Sequence, residues 1–204
     1  MLSPAFRTSL LAAIARLREA GSAFTYWWRD DDAQSASASL TRLLSLTEAA
    51  QTPLVLAVIP AGVDRSLAQC MHAFEHVHTW QHGFAHTNHA PEGLKKAELG
   101  AHRDLQAALN ELRAGREQLE ALLGASFSAV LVPPWNRVAA EVIQGLPDVG
   151  LGCLSTFGIA PLNGRIQGIP CVNTHVDIID WRGARGFAGE SAVLSQLLAH
   201  IDAR

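Results

Sequence analysis

Hydrophobic and polar positions along the chain fall into blocks that switch repeatedly between a helical and a strand-like period. From Pro4 to Ala20, Leu10, Leu11, Ile14 and Leu17 recur at helical spacing between Arg7, Arg16, Arg18 and Glu19, which predicts an amphipathic helix. Gly21-Ser22 stops it, and Phe24-Thr25-Tyr26-Trp27-Trp28 is rich in strand-forming residues. A first strand is predicted there, with Asp30-Asp31-Asp32 at its carboxyl end. Ser35, Ser37 and Ser39 offer caps for a helix from Leu40 to Ala50. After Pro53, Leu54 to Ile59 is a continuous apolar run, the pattern of a strand buried on both faces.

A short helix near Asp64 to Met71 and a third strand near Glu75 to Gln81 follow, and the latter opens into a histidine-rich turn. The longest helix is predicted over about Leu94 to Leu123, with Leu99, Leu105, Leu109, Leu112 and Leu119 on its apolar face. Ala129-Val130-Leu131-Val132 is another buried strand, stopped by Pro133-Pro134. Two or three strands are expected within 150–157 and 166–179, and a last helix from about Glu190 to Ile201. Alternating strands and helices argue for parallel strands joined by crossovers. The chain is short for a complete eightfold barrel of roughly 250 residues, and no Gly-rich phosphate fingerprint follows any strand. The expectation is one domain over 1–204: a small or incomplete (β/α) barrel of about seven parallel strands.

With 204 residues, 49% of them hydrophobic, the chain can bury a full core. The net charge of -3 and the lack of Lys/Arg runs argue against a nucleic-acid partner. Cys70, Cys153 and Cys171 are odd in number and irregularly spaced, so they predict neither a disulfide framework nor a thiolate metal knuckle. The charged first helix is unlike a signal peptide. No apolar run approaches the roughly 18 residues of a membrane span. A cytoplasmic location without membrane contact is therefore expected.

The chemistry concentrates in Trp80-Gln81-His82-Gly83-Phe84-Ala85-His86-Thr87-Asn88-His89 and in Arg29-Asp30-Asp31-Asp32. Both stretches begin where an apolar run ends, the place where a parallel α/β fold presents side chains to an open rim. His82 and His86, four apart, can turn their imidazoles to one side. Adjacent carboxylates repel one another unless an arginine or a cation compensates. Arg29 can neutralise one, a divalent metal can take another, and the third can stay free as a base. Two imidazoles and a carboxylate are the ligands of a catalytic zinc site with one position left open, so a metal-dependent hydrolase is expected. The bland alternative is a solvated acidic loop with surface histidines. His76 and His78 share a strand face and offer a second metal pattern, that of a barrel amidohydrolase; His89 is a possible substitute ligand.

In these motifs the chain resembles the polysaccharide deacetylase family, the NodB-homology or carbohydrate esterase family 4 type. The resemblance matches Asp31-Asp32 to the family's acidic pair, implying Asp31 as catalytic base and Asp32 as metal ligand. His82 and His86 match its two metal-binding histidines, and Pro133-Pro134-Trp135 its Pro-rich strand end. Val172-Asn173-Thr174-His175-Val176-Asp177 resembles its last motif, implying His175 as general acid, with His200 as the rival and Asp177 on the same strand face as a residue orienting His175. Ala33 stands at a usual glycine. Val132 stands where the family has an arginine that orients the base, a job left to Arg29 or Arg137. Asn136 replaces another glycine and can offer its amide to a substrate carbonyl, while Trp135 and Trp181 can stack on a sugar. The resemblance implies a divalent metal, zinc, and hydrolysis of the acetyl group of a small N-acetylated sugar, oligosaccharide or related amide. A carbohydrate-binding relative without turnover is the alternative that Val132 raises.

Overall fold

The computed structural model describes residues 2–22, 25–161 and 163–203. The chain forms two compact units, the larger from Tyr26–Thr156 and Ala160–Val172, the smaller from Met1–Thr25, Phe157–Ile159 and Asn173–Arg204.

The first element, α1 (Pro4–Glu19), belongs to the smaller unit. Ser3 caps it, its hydroxyl accepting from the Phe6 amide, and Pro4 opens the first turn. The larger unit follows in the order β1 (Trp28–Ala33), α2 (Ala38–Ala49), β2 (Leu54–Val58), α3 (Arg65–Met71), β3 (Val77–His82), α4 (Leu105–Leu123), β4 (Phe127–Val132), α5 (Ala140–Gly145), β5 (Cys153–Leu154), β6 (Arg165–Ile166) and β7 (Ile169–Pro170). The smaller unit closes with α6 (Glu190–Asp202). There the Ser3 amide donates to the Glu190 carboxylate at 3.1 Å and Arg16 pairs with Asp202 at 3.1 Å.

Strands β1 to β5 make one parallel sheet in sequence order, the architecture of an incomplete α/β barrel. The other two strands, β6 and β7, are an antiparallel hairpin rather than further barrel staves. Gly164 and Gly168, both at positive φ, bend that segment too tightly for a crossover. Every residue of β2 is buried, as a continuous apolar run requires. Its Leu54, Leu56 and Val58 pack with Leu40 and Leu44 of α2, Leu67 and Met71 of α3, and Leu119 and Leu123 of α4. On β3, Val77 joins the same cluster and Gln81 reaches the Leu112 carbonyl of α4. Period-two alternation therefore turns His78, Trp80 and His82 to the opposite face.

Three boundaries differ from the sequence expectation. The first strand was expected over 24–28, but it begins at Trp28, whose amide donates to the Pro53 carbonyl at 2.8 Å; Phe24 lies outside the described residues. The acidic triplet is consequently part of β1. The long helix starts at Leu105, not Leu94: Asp104 caps it by accepting from the Ala107 amide, and Leu99 is buried in a bridge to Val138. Around His175, Thr174 makes only an isolated bridge to Phe157, so among the described residues no strand carries His175 and Asp177 on a common face.

Candidate metal centre

Parallel pairing sets the carboxyl ends of the five strands on one edge. Ala33 pairs with Val58, Val58 with Gln81, His82 with Val132, and Leu131 with Leu154. Along this rim, β1 takes three steps from Asp30 to Ala33 while β2 takes two from Leu56 to Val58, a bulge in which Asp32 has a φ of 72°. Bulges of this kind re-aim side chains. At the end of β3, Gly83 (φ 58°) and His86 (φ 54°) fold the chain back, and after β4 Trp135 (φ 57°) and Asn136 (φ 55°) do the same.

These turns bring Asp32, His82 and His86 together. Asp32 Oδ1 lies 3.2 Å from His82 Nε2 and 3.3 Å from His86 Nε2. A tetrahedral ion with bonds of about 2.0–2.1 Å separates its ligand atoms by about 3.3 Å, so Asp32 stands at that spacing from each imidazole, and the three donors, all within 4.8 Å of one another, can hold a divalent ion. His82 is buried, and its Nδ1 donates to the Val132 carbonyl at 2.9 Å, which turns Nε2 toward Asp32. The His86 ring packs on Trp135 at a centroid distance of 4.3 Å. A hydrogen bond from His82, reinforced by the charge of both imidazoles, holds the Asp32 carboxyl below the ordinary carboxylate range despite its partial burial. Burial and the neighbouring Asp31 and Asp32 push Asp30 the other way, up to about 6.

Beside the cluster, Arg29 lies against Asp31. Its side chain is only 5% exposed and forms a fork on Asp31, Nε to Oδ1 at 2.8 Å and Nη2 to Oδ2 at 3.1 Å. Nη1 donates to Ser155 Oγ at 2.9 Å beyond β5, anchoring the guanidinium on a second strand. Arg137 serves elsewhere, donating to the Lys96 carbonyl at 2.8 Å. Asn136 is exposed, with its backbone N–H donated to the Pro133 carbonyl. Asp30, Asp31, Asp32, Gln34, Ser35 and Ser37 line a groove of about 460 Å³ along this rim.

His76, just before β3, and His78 on β3 are exposed, and His89 is exposed in the loop beyond it; none joins the Asp32–His82–His86 cluster. In the smaller unit, His175 stacks on His200 with centroids 3.7 Å apart and 22° between the planes. Both rings line a mainly apolar pocket of about 180 Å³ with Phe157, Ile159 and Gln196. The Asp177 carboxylate accepts from Trp181 Nε1 at 2.7 Å and from the Ile179 amide at 2.9 Å, holding the exposed Trp181 ring.

Two residues at the larger unit's centre escaped the sequence pattern. Gln81 and Glu98 are fully buried beneath the histidine turn, and both bind its backbone. The available signal for Glu98 was the pair of helix breakers, Gly93 and Gly100, that bracket it.

No protein-family model matches the sequence and no curated protein matches it. Solved structures do. IcaB from Ammonifex degensii is 14% identical, with a TM-score of 0.62 over 96% of this chain and 88% of that one. The deacetylase PplD of Streptococcus pyogenes, in complex with acetate, is 13% identical, with a TM-score of 0.54 over 85% and 71%. The family 4 carbohydrate esterase from Streptomyces lividans, also with acetate, is 11% identical, with a TM-score of 0.52 over 88% of each chain. The fold is thus the one these three structures share, and the resemblance read from the motifs holds at that level. No helix among the described residues is long and apolar enough to cross a membrane.

Proposed function

We propose that the protein is a metal-dependent deacetylase acting on an N-acetylated sugar, oligosaccharide or related amide. The observation that carries this reading is the convergence of Asp32, His82 and His86, with their ligand atoms within 4.8 Å of one another, one residue from a carboxylate held by its own arginine. Acetate in the complexes of PplD and the Streptomyces lividans esterase supports acetyl as the group removed.

Asp32, His82 and His86 would hold the ion, zinc by the character of its donors. When bound, a divalent ion supplies Lewis acidity toward water and the acyl oxygen. Asp31 takes the proton of the attacking water as general base. Arg29 fixes the carboxylate through both oxygens, so one face stays aimed at the rim. Trp135 keeps the His86 ring in place by packing against it. The departing amine needs a proton, and His175 is carried over from the family's last motif for that role, on the resemblance alone.

Of the alternatives, the amidohydrolase reading loses its footing because His76 and His78 stand outside the cluster. The reading without turnover rested on Val132, and the fork from Arg29 to Asp31 supports Arg29 in the role that Val132 leaves open. The test is zinc content of the purified protein together with acetate release from a panel of N-acetyl sugars. We expect release by wild type and none above background by Asp31→Asn or Asp32→Asn. Equal release by wild type and Asp31→Asn would remove Asp31 as base.

A further inference from the structure

The turn bearing both histidines hangs from a carboxylate to which the mechanism gives no part. Glu98 has no exposed surface. One of its oxygens accepts from the Phe84 amide at 3.2 Å, the other from the Ala85 amide at 2.7 Å. The remaining polar groups of the turn are committed too. Gly83 N donates to the Val132 carbonyl, Gly83 O accepts from Gln81 Nε2, and Phe84 O accepts from the Ala61 amide. From the Gly83 amide to the Ala85 amide the backbone has no slack, and two consecutive donors rest on one side chain.

Gly83 shows how tight the seat is. A Cβ there would run into Glu98 Oε2 and lie 2.7 Å from Pro134 Cγ. Burying a carboxylate is costly unless donors compensate it, and here the donors are amides of the segment joining His82 to His86. His86 also sits at a φ of 54°, a conformation that persists only where the surroundings enforce it.

We infer that Glu98 is a positioning residue of the metal centre, setting the separation and aim of His82 and His86 through the amides of Phe84 and Ala85. This rests on the metal site proposed above. In the full chain, zinc affinity is measured by competition with a chromophoric chelator, alongside the visible spectrum of the cobalt-loaded protein and the melting temperature of the chelated protein. The variants are Glu98→Gln, which keeps the shape but turns an amino group toward an amide donor, and Asp32→Asn. Asn88→Ala is the control, since Asn88 binds the Ala90 and Ala97 amides of the same loop but not the histidine turn.

We expect Glu98→Gln to bind zinc about tenfold or more weakly and to change the cobalt spectrum, while Asn88→Ala lowers the melting temperature with affinity and spectrum unchanged. Folded Glu98→Gln with wild-type affinity and spectrum overturns the inference. So does a loss of affinity that tracks melting temperature in both variants. Where Glu98→Gln is not recovered folded, Glu98→Asp, whose reach is one methylene shorter, is judged by the same criteria. Wild type that binds zinc no better than Asp32→Asn overturns the metal site itself, and the role of Glu98 with it.

Discussion

Arg29→Lys keeps the positive charge beside Asp31 and removes the fork. In the wild type, two guanidinium nitrogens meet the two Asp31 oxygens at 2.8 and 3.1 Å, and a third reaches Ser155 at 2.9 Å. A lysine ammonium is a point charge on a flexible stem and cannot hold both oxygens in one plane. A lost hydrogen bond to a charged group costs roughly 1.5–3 kcal/mol. Asp31 is 35% exposed, so solvent screening brings the expected stability loss nearer the low end of that range. The catalytic effect is larger, because a base displaced by about 1 Å forfeits about 100-fold in rate. We therefore expect kcat to fall about 100-fold, with KM and zinc affinity unchanged, since Asp31 is outside the ligand set. The assay is steady-state acetate release from the most active N-acetyl sugar, paired with a zinc titration and a thermal melt. Unaltered kcat in Arg29→Lys, with Asp31→Asn inactive, would refute the orienting role. Parallel loss of zinc would show that Arg29 acts through the metal ligands instead.

Three further outcomes are expected. His82→Ala abolishes zinc binding and His76→Ala leaves it intact, read by metal content after gel filtration; the reverse result restores the amidohydrolase reading. Gly83→Ala combines a left-handed φ with a wedge against Glu98 and Pro134, costing about 2–5 kcal/mol, or roughly 5–15 °C in melting temperature; a smaller shift means the seat yields easily. Asp30, pushed up to about 6, binds its proton more tightly folded than unfolded, so its ionisation weakens the fold. That penalty is absent below about pH 4 and complete above the folded value. Asp30→Asn in chelated protein should gain on wild type as pH rises through that window, and melting temperatures differing by a constant amount would exclude the effect.

What the sequence made legible was whatever repeats along it. The unbroken apolar run at Leu54–Val58 and the heptad-like leucines of Leu105–Leu123 announced a central strand and its covering helix. His82 and His86 were legible because turn residues separate them at ligand spacing, and Asp32 because a carboxylate run ends an apolar stretch. Glu98 was hidden by the same logic: leucines at Leu94 and Leu99 continued the helical period upstream, although Gly100 and the Asp104 cap mark where helix begins. The hairpin Arg165–Pro170 was equally opaque as part of a barrel, since two-residue strands carry no period at all. Arg29 could be named as a candidate for the missing arginine's role, but that it contacts Asp31 while Arg137 donates to the Lys96 carbonyl depended on the fold.

The backbone explains what pattern alone could not supply, how these residues are held together. Four non-glycine residues along the rim, Asp32, His86, Trp135 and Asn136, hold φ between 54° and 72°. Each such residue costs on the order of 1–3 kcal/mol, and side-chain periodicity carries no trace of it. A chain free to relax would return them to extended geometry and pull Asp32 and His86 away from His82. The surrounding bonds oppose that relaxation: the β1 bulge is locked between Asp30–Leu56 and Ala33–Val58, the histidine turn by Glu98 and Gln81, and Trp135 by its contact with His86. Strain thus sits on two of the three candidate ligands and on the ring packed against one of them, while the third, His82, lies in regular strand with its Nδ1 held by the Val132 carbonyl. That division makes His82 the fixed point of the centre and the two flanking loops the parts that must be held toward it.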